Sequence, residues 1–257
     1  LEDIGWRATA AALSDLAAAA AHPVGVVTAV IVPRDADPEG VVALMRGVGA
    51  AAAAAGAKVL GGDLTAGEMW AVISTVFGRA VRRMSRTGAR SGDGLWVTGT
   101  LGGARAALDS WRGSKEPDPA ARAAFAHPVS RIAAAQWLAA HGATAMMDIS
   151  DGLGGDAEHL AAASGVGIEI DLALVPRHPS VDAVAARRHD DAELVAASGG
   201  EDYELLVTMP PAFDDSAALR DATGVSLTRI GSILEGAGVR ALLRGEARTI
   251  RGYRHPV

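Results

Sequence analysis

"MMDISDGLGGDAEHL", at residues 146–160, places four carboxylates within eleven residues and no Lys or Arg among them. The preceding "GATAMM" predicts a buried strand that ends at Asp148, and the following "DGLGGDAEHLAAAS" has helical spacing. A strand that runs into a helix N-terminus is a common place for a ligand in α/β proteins. Because the four like charges repel one another, we expect a group outside the chain to neutralise them. They are Asp148, Asp151, Asp156 and Glu158.

The composition excludes several classes of protein. Of the 257 residues, 49% are hydrophobic and only 4% aromatic, which indicates a core of Ala, Val, Leu and Ile. A formal charge of −6 argues against a nucleic-acid partner, which needs clustered Lys and Arg. The absence of cysteine excludes disulfides, zinc–thiolate sites and thiol nucleophiles. No stretch resembles a membrane span or a signal peptide, so we predict a cytoplasmic protein with no membrane partner.

Helical and strand-like patterns alternate without a strict βαβ rhythm, which predicts an α+β fold. Strands are expected at 25–32, at 58–67 with a glycine turn after the strand, and at 69–81. The tail from residue 225 alternates like two or three antiparallel strands. The polar segment 109–128 holds three of the eleven prolines, and we interpret it as a domain junction. The predicted domains are therefore residues 1–112 and 113–257.

Acidic residues recur beside small residues in four places. They are Asp15 in "LSDLAAAA", Asp63 in "GGDLTAG", Asp148 and Asp151 in "DISDGL", and Glu201, Asp202 and Glu204 in "SGGEDYELL". Hard divalent cations prefer oxygen ligands, and glycine lets a phosphate approach the backbone, so the pattern predicts magnesium with a nucleotide. Structural explanations stay open for single clusters: a helix cap at Asp15, an ordinary turn at Asp63, and a solvated loop at Glu201 and Asp202.

Better-known nucleotide signatures are absent from the sequence. It has no G-x-x-x-x-G-K-[ST] motif, and "GVGAAA" at 47–52 lies inside a predicted helix rather than after a strand. The protein-kinase motifs are missing, and "GTLGGARAAL" at 99–108 is better explained as a packed turn than as a phosphate loop. No two of the seven histidines have metal-ligand spacing, which favours structural roles for them.

Several segments follow one another in a recognisable order over nearly the whole chain. They include "SDLAAAA", "GGDLTAG", "RTGARSGDGLWVTGTLG", "MMDISDGLGGDAEHLAAASGVGIEID", "ASGGEDYELLVTMP" and the terminal "GYRHP". In sequence, order and spacing they resemble the thiamine-monophosphate kinases, in the superfamily that includes aminoimidazole ribonucleotide synthetase. "DISDGL" followed by "SGGEDYELL" is specific to these kinases within that superfamily.

The resemblance implies magnesium-dependent transfer of a phosphoryl group from ATP to thiamine monophosphate. Because phosphoryl transfer requires no side-chain nucleophile and the sequence has no Cys and no convincing Ser–His pair, we expect direct transfer without a phosphoenzyme. It implies an N-terminal α/β domain that forms a homodimer through its sheet and a C-terminal α+β domain. The implied magnesium ligands are Asp15, Asp63, Asp148 and Asp151. The implied ATP contacts are Gly62, Asp63, Arg86 and Ser150, with the register of Arg86 open against Arg82, Arg83 and Arg90. The implied thiamine contacts are Tyr253 and either Glu201 or Asp202.

The family also carries a "GDDA"-like motif and a "TTD…EGVHF"-like segment ahead of the position of Leu1, which supply metal ligands and an acceptor contact. A chain without them is expected to bind metal poorly, with little turnover and a partly preserved fold. Two other interpretations stay open. One is an ATP-using enzyme of the same superfamily with another small acceptor, which activity on thiamine monophosphate would exclude. The other is an inactive nucleotide-binding scaffold, which ATP binding without turnover would favour.

Overall fold

The computed structural model describes residues 1–253, which fold around two separate sheets. The helices are α1 (Glu2–Ala18), α2 (Pro38–Ala54), α3 (Gly103–Arg112), α4 (Pro119–Ala126), α5 (Ile132–Ala140), α6 (Leu153–Ser164), α7 (Val181–Arg188), α8 (Ala192–Ala197) and α9 (Ser216–Thr223). The strands are β1 (His22–Pro33), β2 (Lys58–Gly67), β3 (Ala71–Arg79), β4 (Gly94–Thr98), β5 (Ala145–Asp148), β6 (Gly167–Asp171), β7 (Leu205–Met209), β8 (Leu227–Leu234), β9 (Gly238–Leu243) and β10 (Glu246–Arg248). This mixture confirms the predicted α+β class.

The first sheet has the order β2-β1-β3, with β1 parallel to β2 and antiparallel to β3. Helices α1 and α2 cover one face, where Val26 and Val30 of β1 pack against apolar residues of both helices. The two helices are in close contact at Gly47, where a Cβ would lie 2.0 Å from the carbonyl oxygen of Glu2. Glycine at this position therefore allows the close approach. The other face of the sheet is left exposed.

Strand β2 excludes the turn that the sequence left open as an explanation of "GGD". "GGD" is not a turn, because the strand continues through these residues to Gly67 with one bulge in its pairing to β1. A Cβ at Gly62 would lie 2.0 Å from the carbonyl oxygen of Thr28, so glycine is required there by the neighbouring strand. The glycine that suggested a turn therefore serves close strand pairing.

The second sheet has seven strands in the order β10-β9-β6-β8-β4-β7-β5. Its pairs are antiparallel except β6 with β9, and a large core of buried aliphatic residues joins the sheet to α3, α6 and α7. The tail does form three strands, but β6 lies between β8 and β9, so they are not one meander. Strand β5 lies at the sheet edge and ends at Asp148, as the opening motif predicts.

The polar segment 109–128 is partly helical. Asp118 caps α4 by accepting the backbone N–H groups of Ala120 and Ala121 at 3.0 Å, and Pro119 occupies the first helical position. The change from the first sheet to the second falls between Arg79 and Gly94, whereas the predicted boundary follows the last residue of α3. In the described part of the chain, no helix is long and apolar enough to cross a membrane.

Candidate active site

The loop between β5 and α6 is held by a buried carboxylate. Asp156, in the first turn of α6 and 1% exposed, accepts the backbone N–H groups of Ser150, Asp151 and Gly152 on one oxygen, at 3.0–3.1 Å. Burial raises the pKa of Asp156 to about 7, and the neighbouring Asp151 and Asp148 add to this rise. The three backbone amides offset only part of this rise, so the need for a counter-charge from outside the chain stays a prediction for the acidic loop.

Helix α1 reaches across to the end of β5. Ser14, fully buried, donates a hydrogen bond of 2.7 Å from its hydroxyl to Oδ2 of Asp148. Burial raises the pKa of Asp148, and the negative charge of Asp15 raises it further, while Arg86 opposes the rise. Partial burial likewise raises the pKa of Asp15, again opposed by Arg86. The structure thus brings together Asp15, Asp148 and Arg86, three of the predicted site residues.

The arginines near this cluster have separate roles. Arg82 donates to the backbone carbonyls of Ala139 at 3.0 Å and Ala143 at 3.1 Å, which fixes its side chain to the end of α5 and the turn that precedes β5. The charge of Arg86 instead acts on both carboxylates of the cluster. This geometry favours Arg86 over Arg82 as the residue that faces a bound phosphate.

Asp63 lies apart, on β2 of the first sheet. Its Cα pairs with that of Ala29, on the sheet face opposite α1 and α2, and its side chain is exposed. Within residues 1–253, no three His, Asp or Glu side chains come together in an arrangement that could hold a metal ion. The protein therefore offers carboxylates in smaller groups, and Asp63 is not part of the group around Asp148.

The residues of "GGEDYELL" alternate in direction along the loop before β7. The loop pairs with the end of β5: the N–H groups of Glu201 and Tyr203 donate to the carbonyls of Ser150 (2.7 Å) and Ile149 (2.9 Å). Glu201 and Tyr203 have φ values of +67° and +53°, an uncommon conformation for residues with a Cβ and one that clusters at functional sites.

The side chains of this loop serve two different purposes. Asp202 accepts the N–H of Gly102 at 2.9 Å at the start of α3, and its burial raises its pKa well above the usual value. Glu204 is buried and forms a two-pronged ion pair with Arg131 at 2.8 and 2.5 Å. Glu201, in contrast, lines a cavity. Of the two candidates for substrate binding, the geometry therefore favours Glu201.

A cavity of about 1020 Å³ begins at the β5–α6 loop. Its walls include Ser150, Asp151, Glu201 and Tyr253 among the predicted site residues. The N–H of Tyr253 donates to the carbonyl of Asp151 at 2.7 Å, which brings the end of the described chain onto the loop. The rest of the terminal motif, residues 254–257, lies outside the described residues. Lining residues that the sequence did not single out include Tyr203, Arg105, Arg112 and Arg251.

This arrangement suits magnesium and phosphate better than covalent catalysis. Asp148 and Asp15 are two hard oxygen donors, near enough for the charge of Asp15 to raise the pKa of Asp148, and Asp151 follows in the β5–α6 loop. Magnesium is usually bound through one or two carboxylates together with water and substrate phosphates, so these carboxylates are suitable ligands for that ion. Burial is the main cause of the raised pKa values of Asp148 and Asp15, and a bound cation would favour their charged forms.

Comparison with known proteins identifies family matches for both parts of the chain, the part with the first sheet and the part with the second. The family "AIR synthase related protein, N-terminal domain" matches residues 1–80, and "AIR synthase related protein, C-terminal domain" matches residues 90–244. A thiamine-monophosphate kinase of Halobacterium salinarum (strain ATCC 700922 / JCM 11081 / NRC-1) is 37% identical over 252 residues. That alignment covers 98% of this chain and 83% of the relative.

Solved structures with the same fold bind nucleotides. AaThiL complexed with AMPPCP and TMP is 32% identical, with a TM-score of 0.87 over 99% of this chain and 80% of that chain. The hydrogenase maturation protein HypE in complex with ATP is 20% identical, with a TM-score of 0.82 over 98% of this chain and 79% of that chain. At that identity, the second likeness shows the shared fold alone.

Proposed function

The chain belongs to the thiamine-monophosphate kinase family, and we propose that it transfers the γ-phosphoryl group of ATP to thiamine monophosphate. One observation carries the proposal. Ser150 and Asp151, two residues of the acidic loop that starts at Asp148, also line the 1020 Å³ cavity that contains Glu201 and Tyr253. A phosphate held at the loop and an organic group held in the cavity would thus lie next to each other.

The residues of the chain divide the work between charge and position. Asp15 and Asp148 would hold one magnesium ion and Asp151 a further one; magnesium, when bound, neutralises the charge of phosphate groups that otherwise repel one another. Ser14 fixes the carboxylate of Asp148, and Asp156 fixes the backbone of the loop. Arg86 binds phosphate oxygens with its planar guanidinium. Gly62 and Asp63 bind the nucleotide from the first sheet.

The cavity holds the thiamine moiety. Thiamine carries a positive charge on an aromatic ring, for which a carboxylate and aromatic faces are suitable partners. Glu201, Tyr203 and Tyr253 provide these groups on the cavity wall. Phosphoryl transfer needs alignment and charge stabilisation more than a nucleophilic side chain, so the acceptor phosphate itself is the nucleophile.

Product analysis tests this function. The protein is incubated with ATP, magnesium and thiamine monophosphate, and thiamine diphosphate is measured by mass spectrometry. We expect thiamine diphosphate and ADP in equal amounts. ATP consumption without thiamine diphosphate, or faster turnover with a purine-precursor phosphate, would instead support an ATP-using enzyme of the same superfamily with a different acceptor. ATP binding with no turnover of any acceptor would support the scaffold interpretation.

We also propose a homodimer that forms through the first sheet. The sheet face opposite α1 and α2 exposes Ile73 (59%) and Phe77 (49%), and Leu60 of β2 is 57% exposed. An apolar sheet face of this kind marks an interaction surface, and the edge strands β2 and β3, of ten and nine residues, are open to pairing with a second copy. Sedimentation velocity is expected to give twice the chain mass, and a monomer at micromolar concentration would contradict the dimer.

A further inference from the structure

Arg7, in the first half of α1, contacts residues of α4 and of the loop before β7. Its guanidinium carbon lies 3.7 Å from the centre of the Phe125 ring, and one nitrogen donates to the backbone carbonyl of Phe125. A second nitrogen forms an ion pair with Oε2 of Glu201. The side chain of Arg7 is only 17% exposed, whereas that of Glu201 is 46% exposed.

These three contacts fix the guanidinium in one orientation. A planar guanidinium that stacks on a ring and donates in two directions has little freedom left, so its carboxylate partner is also held in place. Arg46 and Glu2 form a contrasting pair with 62% and 49% of their side chains exposed, and an ion pair of that type contributes little. The Arg7–Glu201 pair is thus built differently from a surface ion pair.

Glu201 lies in a loop, outside the regular helices and strands. Its backbone has a φ of +67°, and its side chain lies at the cavity wall rather than in the core. Tyr203 lies close to both charges: burial raises its pKa to about 12, Glu201 adds to the rise and Arg7 opposes it. Arg7, Glu201 and Tyr203 therefore form one cluster at the cavity.

We propose that Arg7 is a positioning residue that holds the carboxylate of Glu201 toward the cavity and thereby sets the affinity for the cationic thiamine moiety. This inference rests on the proposed function. Arg7 acts through Glu201 because the cavity lining within the described residues includes Glu201 and Tyr203 but not Arg7. Since Arg7 belongs to α1, the first part of the chain thus contributes to a substrate site in the second part.

The test is a double-mutant cycle on the full chain with Arg7→Gln, Glu201→Gln and the double variant. We expect Arg7→Gln to raise the KM for thiamine monophosphate about tenfold, which is about 1.4 kcal/mol, and to leave the KM for ATP within about twofold. If Arg7 acts through Glu201, the double variant has the same KM as Glu201→Gln alone. Relative to Arg7→Gln, Arg7→Lys is expected to restore only part of the affinity. Lysine keeps the positive charge, but its ammonium group lacks the planar fork of the guanidinium.

The controls separate positioning from folding. Arg46→Gln removes an arginine from the exposed pair and is expected to leave both KM values unchanged. Melting temperatures identify any variant that fails to fold, and calorimetric binding of thiamine monophosphate gives a second readout for every folded variant. An unchanged KM and Kd in Arg7→Gln, or effects that add in the double variant, would overturn the inference while wild-type turnover keeps the proposed function. A wild-type chain that neither binds nor phosphorylates thiamine monophosphate would overturn both.

Discussion

Substitution of Asp156 by Ala tests whether this carboxylate organises the loop that carries Ser150 and Asp151. The change removes the shared acceptor of three backbone N–H groups. Each lost hydrogen bond costs about 1 kcal/mol net, so the free energy of unfolding is expected to fall by about 3 kcal/mol. For a chain of this size, each kcal/mol lowers the melting temperature by about 2–4 °C, which predicts a decrease of about 6–12 °C.

The matched variant is Asp156→Asn, which keeps one oxygen as an acceptor and replaces the charged carboxylate with a neutral amide. Burial and the neighbouring carboxylates already disfavour that charge and raise the pKa of Asp156 to about 7. Its neutralisation is therefore expected to cost less than about 1 kcal/mol.

Calorimetric melting and steady-state kinetics measure the two consequences together. In Asp156→Ala, we expect the KM for ATP with magnesium to rise, because the loop backbone loses its fixed orientation, while Asp156→Asn stays close to wild type. Equal melting temperatures for the two variants would refute the reasoning, since the hydrogen bonds would then not be what holds the loop.

Two further pairs of substitutions, each a test and a control, examine the first part of the chain. Phe77→Glu adds a charge to the exposed sheet face and is expected to yield monomers in sedimentation velocity. Its control is Val81→Glu, at a 96% exposed position after the sheet, which is expected to leave the dimer intact. A Phe77→Glu protein that remains dimeric would exclude this face as the dimer interface. Gly62→Ala is expected to lower stability by at least about 2 kcal/mol, because its Cβ would lie 2.0 Å from the carbonyl oxygen of Thr28. Gly49→Ala, in the interior of α2 with no atom within 4 Å of the added Cβ, should raise stability by about 0.5–1 kcal/mol, and equal effects of the two alanines in urea unfolding would contradict the packing argument.

Local patterns predicted the elements that depend on neighbours in sequence. The strand that ends at Asp148 and the helix that follows were both readable from periodicity, and the α+β class followed from the mixture of elements. Helix α4 was missed because the three prolines of segment 109–128 suggested a linker. Asp118 followed by Pro119 is nevertheless a typical helix start. The first-turn position of Asp156 was a similar local signal for its bond to the loop.

Other features depend on contacts that no local pattern contains. Phe125 and Glu201 lie 118 and 194 residues from Arg7 in the chain, so nothing in the sequence around Arg7 indicated its role. The selection of Glu201 over Asp202 required the position of α3, whose first N–H groups bind Asp202. The resemblance to a family named the residues, and the tertiary structure was needed to separate those at the cavity from those in structural bonds.

The most direct test of the central claim compares wild type with Asp148→Asn in a coupled assay of ADP release. The full chain is given ATP and magnesium with and without thiamine monophosphate, after intact mass has verified both proteins. The account predicts ADP release that requires thiamine monophosphate and falls at least about a hundredfold in the variant, since Asp148 is the buried carboxylate of the metal group. A melting temperature near that of wild type would show that the loss is not unfolding. Turnover in a folded Asp148→Asn protein equal to wild type, or ADP release indifferent to thiamine monophosphate, would contradict the account.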